Sequence, residues 1–245
     1  MQPEEYDKLH RVEREHWFYS GKRAIVRHWL HATFPLRPDS LLLDCGAGTG
    51  LFAEEMAAHC RVVATDDHDA ALQLLRQRLG PERVITASCD ALPLPDNAID
   101  CLTALDVLEH VADDASAVRE FARVLKPGGV AIITVPAMQS LWSDWDTALH
   151  HFRRYDREGL RRLLDTSFRI LHLNYINVLA LPAIWLTRKL RLLGARRTNG
   201  ARLEEFIPPA PINLLLRKSF VSLACQQQVQ FPCGVGLLAV IRNER

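Results

Sequence analysis

No run of apolar residues in this chain approaches the roughly 20 that a helix needs to cross a bilayer, so a membrane span is not expected. No two of the six cysteines form a C-x-x-C pair. Cys45, Cys60, Cys89, Cys101, Cys225 and Cys233 are scattered, which argues for reduced, mostly buried thiols and against a disulfide framework or a cysteine zinc site. Neither sign of charge dominates: 30 basic residues against 29 acidic leave a formal +1, so no global field favours nucleic acid. The opening residues MQPEEYDKLHRVEREH contain no apolar signal region, and there is no internal repeat or low-complexity tract. These absences predict a cytoplasmic protein without a nucleic-acid partner. The 48% hydrophobic and 24% charged content is ordinary for a globular chain, and 245 residues suit one α/β domain with insertions, assigned here to residues 1–245.

The chain is organised around Leu41–Gly50, LLLDCGAGTG. Apolar residues run into Asp44, and Gly46, Gly48 and Gly50 follow at alternate positions. A buried strand ending in a glycine-rich turn that opens a helix, here Leu51–His59, is how doubly wound α/β domains hold nucleotide-like cofactors. The dinucleotide fingerprint G-x-G-x-x-G is met at Gly46 and Gly48, but Leu51 stands where the third glycine belongs. A nicotinamide-dependent oxidoreductase is therefore the rival reading. The form D-x-G-x-G-x-G resembles motif I of the class I S-adenosylmethionine-dependent methyltransferases. That resemblance implies S-adenosyl-L-methionine as cofactor, held about Asp44, Gly46, Ala47, Gly48 and Gly50. A carboxylate near the loop would accept from the ligand's ammonium group, directly or through water.

The next stretches extend the resemblance. Arg61–Thr65 reads as a strand ending at Asp66-Asp67. An acidic residue at this distance from the glycines is the ribose position of Rossmann-type sites, with Asp66 preferred over its neighbour Asp67. Asp69–Leu79 reads as a helix stopped by Gly80-Pro81, and Arg83–Ala87 as a third strand. The loop Ser88–Asp96 resembles the "D-A-x-x-L-P-F" loop of small-molecule methyltransferases, which implies that Asp90 accepts from the adenine amino group and that the Ala91 N–H contacts the ring. After a fourth strand, Ile99–Leu105, comes Asp106-Val107-Leu108-Glu109-His110-Val111. The order of these four loops, over roughly residues 40–135, resembles the ubiquinone/menaquinone-type branch of that family. It implies that Leu105 and Asp106 line the cofactor and face the substrate. A helix Asp113–Leu125, the stop Lys126-Pro127-Gly128-Gly129, and strand Val130–Val135 complete an alternation of β and α, hence a mostly parallel sheet with helices on both faces. The resemblance implies a Rossmann-like, seven-stranded sheet of order 3-2-1-4-5-7-6 with the last strand antiparallel.

The flanks are less regular. Residues 1–35 form a helical cap, with Tyr6, Leu9 and Val12, then Ile25, Val26, Trp29 and Leu30, at helical spacing. Ser20-Gly21 marks a helix break between them, and the adjacent aromatics Trp17, Phe18 and Tyr19 either pack the cap or cover a ligand. Residues 136–155 follow a strand's carboxyl end, the ligand edge of open α/β sheets, and bring Trp142, Trp145, Arg153 and Tyr155 as candidate substrate contacts. His150-His151 does not suggest a metal, because adjacent residues usually point apart and no Cys/Asp/Glu cluster completes a ligand set. Asp156 caps a helix Arg157–Leu164, and Phe168–Tyr175 and Gly234–Ile241 are the last strands. Between them, residues 177–231 are a two-helix insertion read as a lid, with helices starting at Pro182 and Pro211. Within 177–197 an apolar run leads into Arg188, Lys189, Arg191, Arg196 and Arg197, the pattern of a helix that lies on an anionic membrane surface, or else of a plain lid with solvated arginines.

The reading is a methyltransferase that moves a methyl group to an O, N or C nucleophile of a small molecule, with a lipid-like acceptor as one form of it. The chemistry asks the protein to hold nucleophile, methyl and sulfur in line and to exclude water. His110, His150 and His151 are the candidates for a base. A non-catalytic S-adenosylmethionine-binding subunit is the other alternative. The acceptor's identity lies beyond the sequence.

Overall fold

The computed structural model describes residues 9–192 and 206–244, with 188–192 described by backbone alone. Tyr6, Gly194, Arg196, Arg197 and Glu204 lie outside the described residues. Helix α1 (Trp17–Thr33) precedes β1 (Leu41–Cys45), α2 (Leu51–Met56), β2 (Arg61–Asp66), α3 (Asp69–Leu79) and β3 (Val84–Thr86). Then come β4 (Ile99–Leu105), a 3₁₀ turn at Leu108–His110, α4 (Asp114–Val124) and β5 (Leu125–Pro136). The chain closes with α5 (Asp144–Ala148), α6 (Arg157–Leu164), β6 (Arg169–Ile176), α7 (Leu181–Leu192), α8 (Ala210–Ala224) and β7 (Gly236–Arg242).

The seven strands run in the order β3-β2-β1-β4-β5-β7-β6, as the resemblance implied. β1 to β5 pair in parallel, and β7 is antiparallel to both of its neighbours. The chain winds outward from β1 to β3, then returns to place β4 on the other side of β1. This reversal opens a crevice at the carboxyl ends of β1 and β4, where ligands bind in such sheets. Side-chain caps fix helix starts as the sequence suggests: Asp113 accepts from the Ser116 N–H and Asp156 from the Gly159 N–H. The helix after the glycine loop ends at Met56, short of His59, and β5 begins already at Leu125, taking in Lys126-Pro127-Gly128-Gly129.

Two apolar layers enclose the sheet. One gathers Phe121 of α4 and Leu160 and Leu164 of α6 over Leu43, Leu102 and Ile133. The other gathers Ile25, Val26 and Trp29 of α1, Met56 of α2, and Phe220 and Ala224 of α8 over Leu42, Ile132 and Val240. The second helix of the 177–231 insertion is thus part of the core, packed on the N-terminal cap. Asn213 on α8 accepts from the Trp17 N–H at 2.9 Å and donates to the Glu15 carbonyl at 2.8 Å, so α8 also terminates α1.

The break expected at Ser20-Gly21 does not occur, because α1 runs through it. Gly21 is there for proximity: a Cβ on it would sit 2.8 Å from the Phe220 ring. That ring cannot easily retreat, since it stacks on Phe18 and is 4% exposed. Gly21→Val should therefore destabilise the fold by ~1–3 kcal/mol through overpacking. Urea unfolding should show much of the loss recovered when Phe220→Ala is added, a coupling that independent sites would not show.

Candidate active site

A cavity of about 630 Å³ opens at the crevice between β1 and β4. It is within the usual size range of small-molecule sites. The glycine loop forms one wall. Gly46, Gly48 and Gly50 all have positive φ, but for different reasons. A Cβ on Gly46 would strike Val107 at 2.7 Å, and one on Gly50 would strike Leu75 at 2.6 Å. A Cβ on Gly48 would meet nothing within 4 Å, because it would point into open space at the cavity wall. Gly46 and Gly50 thus allow the loop to pack, and Gly48 alone leaves room beside it. Ala47 lines the cavity with them, and Gly50 is buried behind the loop.

Carboxylates from the strand ends surround this space. Asp66, at the end of β2, accepts from the Gly48 N–H at 2.9 Å and from the His68 N–H at 3.0 Å. Burial outweighs these bonds and raises its pKa. Asp67 also lines the cavity but is exposed, with its carboxylate 2.6 Å from His68 Nδ1. Asp90 reaches the cavity from the loop after β3, whereas Ala91 is exposed outside it. Asp106 follows β4 in a left-handed conformation, φ 58°, with Leu105 beside it on the wall. Its carboxylate accepts from the Thr134 hydroxyl at 2.9 Å and pairs with the Lys22 ammonium of α1. Burial would push Asp106 up, but Lys22 and Thr134 prevail and hold it below the usual carboxylate range.

Asp44 does not join this set. It is buried in β1, where its carboxylate accepts from the Thr103 hydroxyl of β4 at 2.7 Å, and it is not among the cavity-lining residues. Burial pushes its pKa up to about 7, with Thr103 opposing and Asp66 adding to the rise. Of the two routes expected of it toward a ligand's ammonium group, directly or through water, this placement away from the lining does not offer the direct one.

The opposite end of the cavity is built from the turn after β4 and the crossover after β5. Glu109 and His110 come from the 3₁₀ turn and His151 from just beyond α5, and all three line the cavity. The rings of His110 and His151 meet edge to face at 4.7 Å. His151 Nδ1 is 3.1 Å from the carboxylate of Asp146, which also accepts from Arg154 Nε at 2.6 Å. Burial lowers the His110 pKa to about 4, with His151 adding to the effect. Glu109 is fully buried, neither carboxylate oxygen has a partner, and burial raises its pKa well above normal. Phe18, Tyr19, Trp145, Leu149, Phe152 and Ile184 give this end an apolar surface.

Other expected contacts fall outside the cavity. His150 is exposed with φ 59° and points elsewhere, and Trp142 is half-buried away from the lining. Tyr155 is buried and donates to Asp114 at 2.8 Å, while Arg153 binds the same carboxylate at 2.9 Å and the Ala112 carbonyl at 2.6 Å. Their polar atoms hold the crossover onto α4, and Arg154 takes the cavity-facing place. The sequence reading passed over Glu13, Lys22, Glu109 and Arg154. Glu13, 4% exposed, accepts from the Thr49 hydroxyl of the glycine loop and pairs with Arg78 of α3, so residues 9–16 are strapped over the loop. Glu109 and Arg154 had a signal nearby, the first as the neighbour of His110 and the second between Arg153 and Tyr155.

Comparison with known proteins agrees with this architecture. Residues 43–133 match the methyltransferase domain family. A Mycobacterium tuberculosis protein named a probable S-adenosylmethionine-dependent methyltransferase is 34% identical over 131 residues, 52% of this chain and 48% of that one. The ubiquinone/menaquinone biosynthesis C-methyltransferase UbiE of Vibrio cholerae is 32% identical over 170 residues, 59% of this chain and 65% of that one. The chain thus spans about half to two thirds of the length of these relatives. Phosphoethanolamine N-methyltransferase 2 of Haemonchus contortus, solved with S-adenosyl-L-methionine, shares the fold at a TM-score of 0.58 and 17% identity, over 88% of this chain and 51% of that one.

The Asp44 shift has a measurable consequence. Its folded pKa of about 7 exceeds its ordinary 3.8, so the native state keeps a proton that the unfolded chain releases. Stability must then fall as pH rises from about 4 to about 7 and level off above, because the unfolded state binds fewer protons across that window. Asp44→Asn keeps an acceptor for Thr103 and removes the slope. Urea unfolding should show the variant gaining on the parent protein through this window, and parallel pH profiles would refute the assignment.

Proposed function

We propose that this chain, built on a methyltransferase domain over residues 43–133, carries a methyl group from S-adenosylmethionine to a small-molecule acceptor. The observation that carries the reading is the open space at Gly48 beside the buried carboxylate of Asp66, at the reversal of strand order. The residues fit that cofactor. A carboxylate has about four lone-pair positions, and backbone N–H groups take one on each oxygen of Asp66, leaving acceptors for two ribose hydroxyls. Ser88 and Asp90 wall the adenine end, and Leu105 and Asp106 the end nearest the acceptor. Leu51 at the third fingerprint position speaks against a dinucleotide.

When bound, S-adenosylmethionine supplies an electrophilic methyl group and a good leaving group. The chain's own task is to bind, align and exclude water. Phe18, Tyr19, Trp145, Leu149 and Phe152 shape the acceptor end for a partly apolar molecule with an O, N or C nucleophile. His110 and His151 are the imidazoles that meet that nucleophile. With its pKa lowered to about 4, His110 is neutral at neutral pH and can accept a hydrogen bond there. Glu13 ties the N-terminal segment to Thr49 of the glycine loop at the cofactor end, and Lys22 ties it to Asp106 nearer the acceptor.

Titration calorimetry with S-adenosylhomocysteine tests the cofactor assignment. Gly48→Val should abolish binding by filling the open space, and Asp66→Ala should weaken it by ~1–3 kcal/mol. Unchanged affinity in both would sink the reading. Once an acceptor is found, His110→Ala and His151→Ala should each lower turnover by roughly 10²–10⁴ with cofactor affinity kept, whereas His150→Ala should not.

A lipid-like acceptor presented at a membrane surface is the second reading. It is supported by Leu179, Trp185 and Leu186 around α7 and Ile212 and Leu215 on α8, all exposed apolar side chains, and by Ile184 of α7, which reaches the cavity. The basic residues that continue α7 in sequence match an anionic surface, although the side chains of Arg188, Lys189 and Arg191 lie outside the described residues. Among the described residues no helix is long and apolar enough to cross a membrane. Flotation with anionic vesicles should retain the protein at low salt and release it at high salt, with loss of binding when Arg188, Lys189 and Arg191 become Glu. Absence of binding at low salt would leave the insertion as a cover for a water-soluble acceptor.

A further inference from the structure

We propose that Glu109, His110 and His151 together bind a divalent transition-metal ion at the acceptor end of the cavity. One carboxylate oxygen and one nitrogen from each imidazole lie within 4.8 Å of one another, close enough to share a single ion. The three come from two separate segments, the turn after β4 and the crossover after β5. The Phe152 N–H, bonded to the Glu109 carbonyl at 2.8 Å, ties those segments together.

The strongest sign of a cation site is Glu109. It is 0% exposed, it lines the cavity, and both of its oxygens lack a hydrogen-bond partner. A buried carboxylate left unpaired is costly, and such groups are paired or bind metals. The nearby cations are already engaged: Lys22 with Asp106, and Arg154 with Asp146. His151 adds independent support. Its Nδ1 faces the buried Asp146 carboxylate at 3.1 Å, which leaves Nε2 as the outward nitrogen. A carboxylate behind a histidine is the usual support for a metal-ligating imidazole. Two imidazoles and one carboxylate suit zinc, manganese, iron or cobalt, whereas magnesium and calcium prefer all-oxygen shells. The second acidic cluster, Asp66, Asp67 and His68, lacks these features: Asp66 is satisfied by backbone N–H groups, and its two neighbours are exposed.

The proposal deepens the methyl-transfer reading and rests on it only for the ion's use. An ion held by three protein ligands keeps open positions toward the cavity. There it would bind an acceptor's hydroxyl oxygen and lower its pKa. With both imidazoles bound to the ion they act as ligands and not as proton acceptors: the hydroxyl proton passes to water, an oxygen electron pair forms the new bond to the methyl carbon, and the carbon–sulfur bond breaks with its electrons on sulfur. The acceptor class this favours carries a hydroxyl group, preferably beside a second donor that can chelate.

The test uses the full chain, stripped with chelator and titrated with Co²⁺. One ion per chain should bind, with visible d–d absorption, be displaced by Zn²⁺, and raise the thermal midpoint. Glu109→Gln and His151→Ala should remove the high-affinity site, and Asp146→Asn should weaken it ~10–100-fold. His150→Ala should leave it intact. S-adenosylhomocysteine affinity, measured on the same variants, reports folding and tests the cofactor site separately. A parent protein that binds S-adenosylhomocysteine but no Co²⁺ would overturn the proposal, as would Co²⁺ binding that survives both Glu109→Gln and His151→Ala.

Discussion

The structure depends on the placement of β1 and β4 side by side, paired in parallel from Leu42 with Cys101 to Cys45 with Ala104. The chain leaves these two strands toward opposite sides of the sheet, so no crossover fills the space beyond their carboxyl ends. Their loops still touch. Val107 packs where a Cβ on Gly46 would have to be, which is why that position has no side chain to give. The cavity, the carboxylates around it and the orientation of the glycine loop all follow from this one adjacency.

Acidic side chains crowd this point, and each is stabilised differently. Asp44 has a hydroxyl and a low-dielectric surrounding, and tends to keep its proton. Asp66 has two backbone N–H groups. Asp106 has a full cation, Lys22, and stays ionised. Glu109 has no partner among the described residues. Like charges in one low-dielectric region repel strongly unless compensated. Part of the compensation comes from the N-terminal segment, where Lys22 neutralises Asp106. Glu13, itself a carboxylate, is paired by Arg78 and accepts from the Thr49 hydroxyl, which fixes the segment over the glycine loop. Residues 9–33 are therefore a wall of the site as well as a layer of the core.

The strands, the four loops and most helix limits were legible in the sequence because each rests on local chemistry: an apolar run, a glycine turn, a capping aspartate; the strand order was legible only through the family resemblance. Gly21 shows where local reasoning fails. In sequence it reads as a helix breaker, yet it lies inside α1 where the Phe220 ring of α8 leaves no room for a Cβ. The 136–155 crossover shows the same limit. Its aromatic and basic composition pointed to the edge of the sheet where the cavity opens, but Trp145, His151 and Arg154 line the cavity while His150, Arg153 and Tyr155 do not. A left-handed residue at His150 and a carboxylate at Asp114 decide that division, and neither is marked in the residue pattern.

By itself the sequence determined the alternation of strands and helices and the glycine-rich turn after β1, because period, turns and caps act within about a dozen residues of chain, while the winding of the sheet was legible only through the family resemblance. Only the tertiary structure decided which polar groups share that crevice. Lys22 meets Asp106 across 84 positions, Glu13 meets Arg78 across 65, and Glu109 and His110 meet His151 from separate segments. Such meetings carry no local signature. They depend on how helices pack over the strand ends, and electrostatic energies change steeply over the few ångströms that this packing sets.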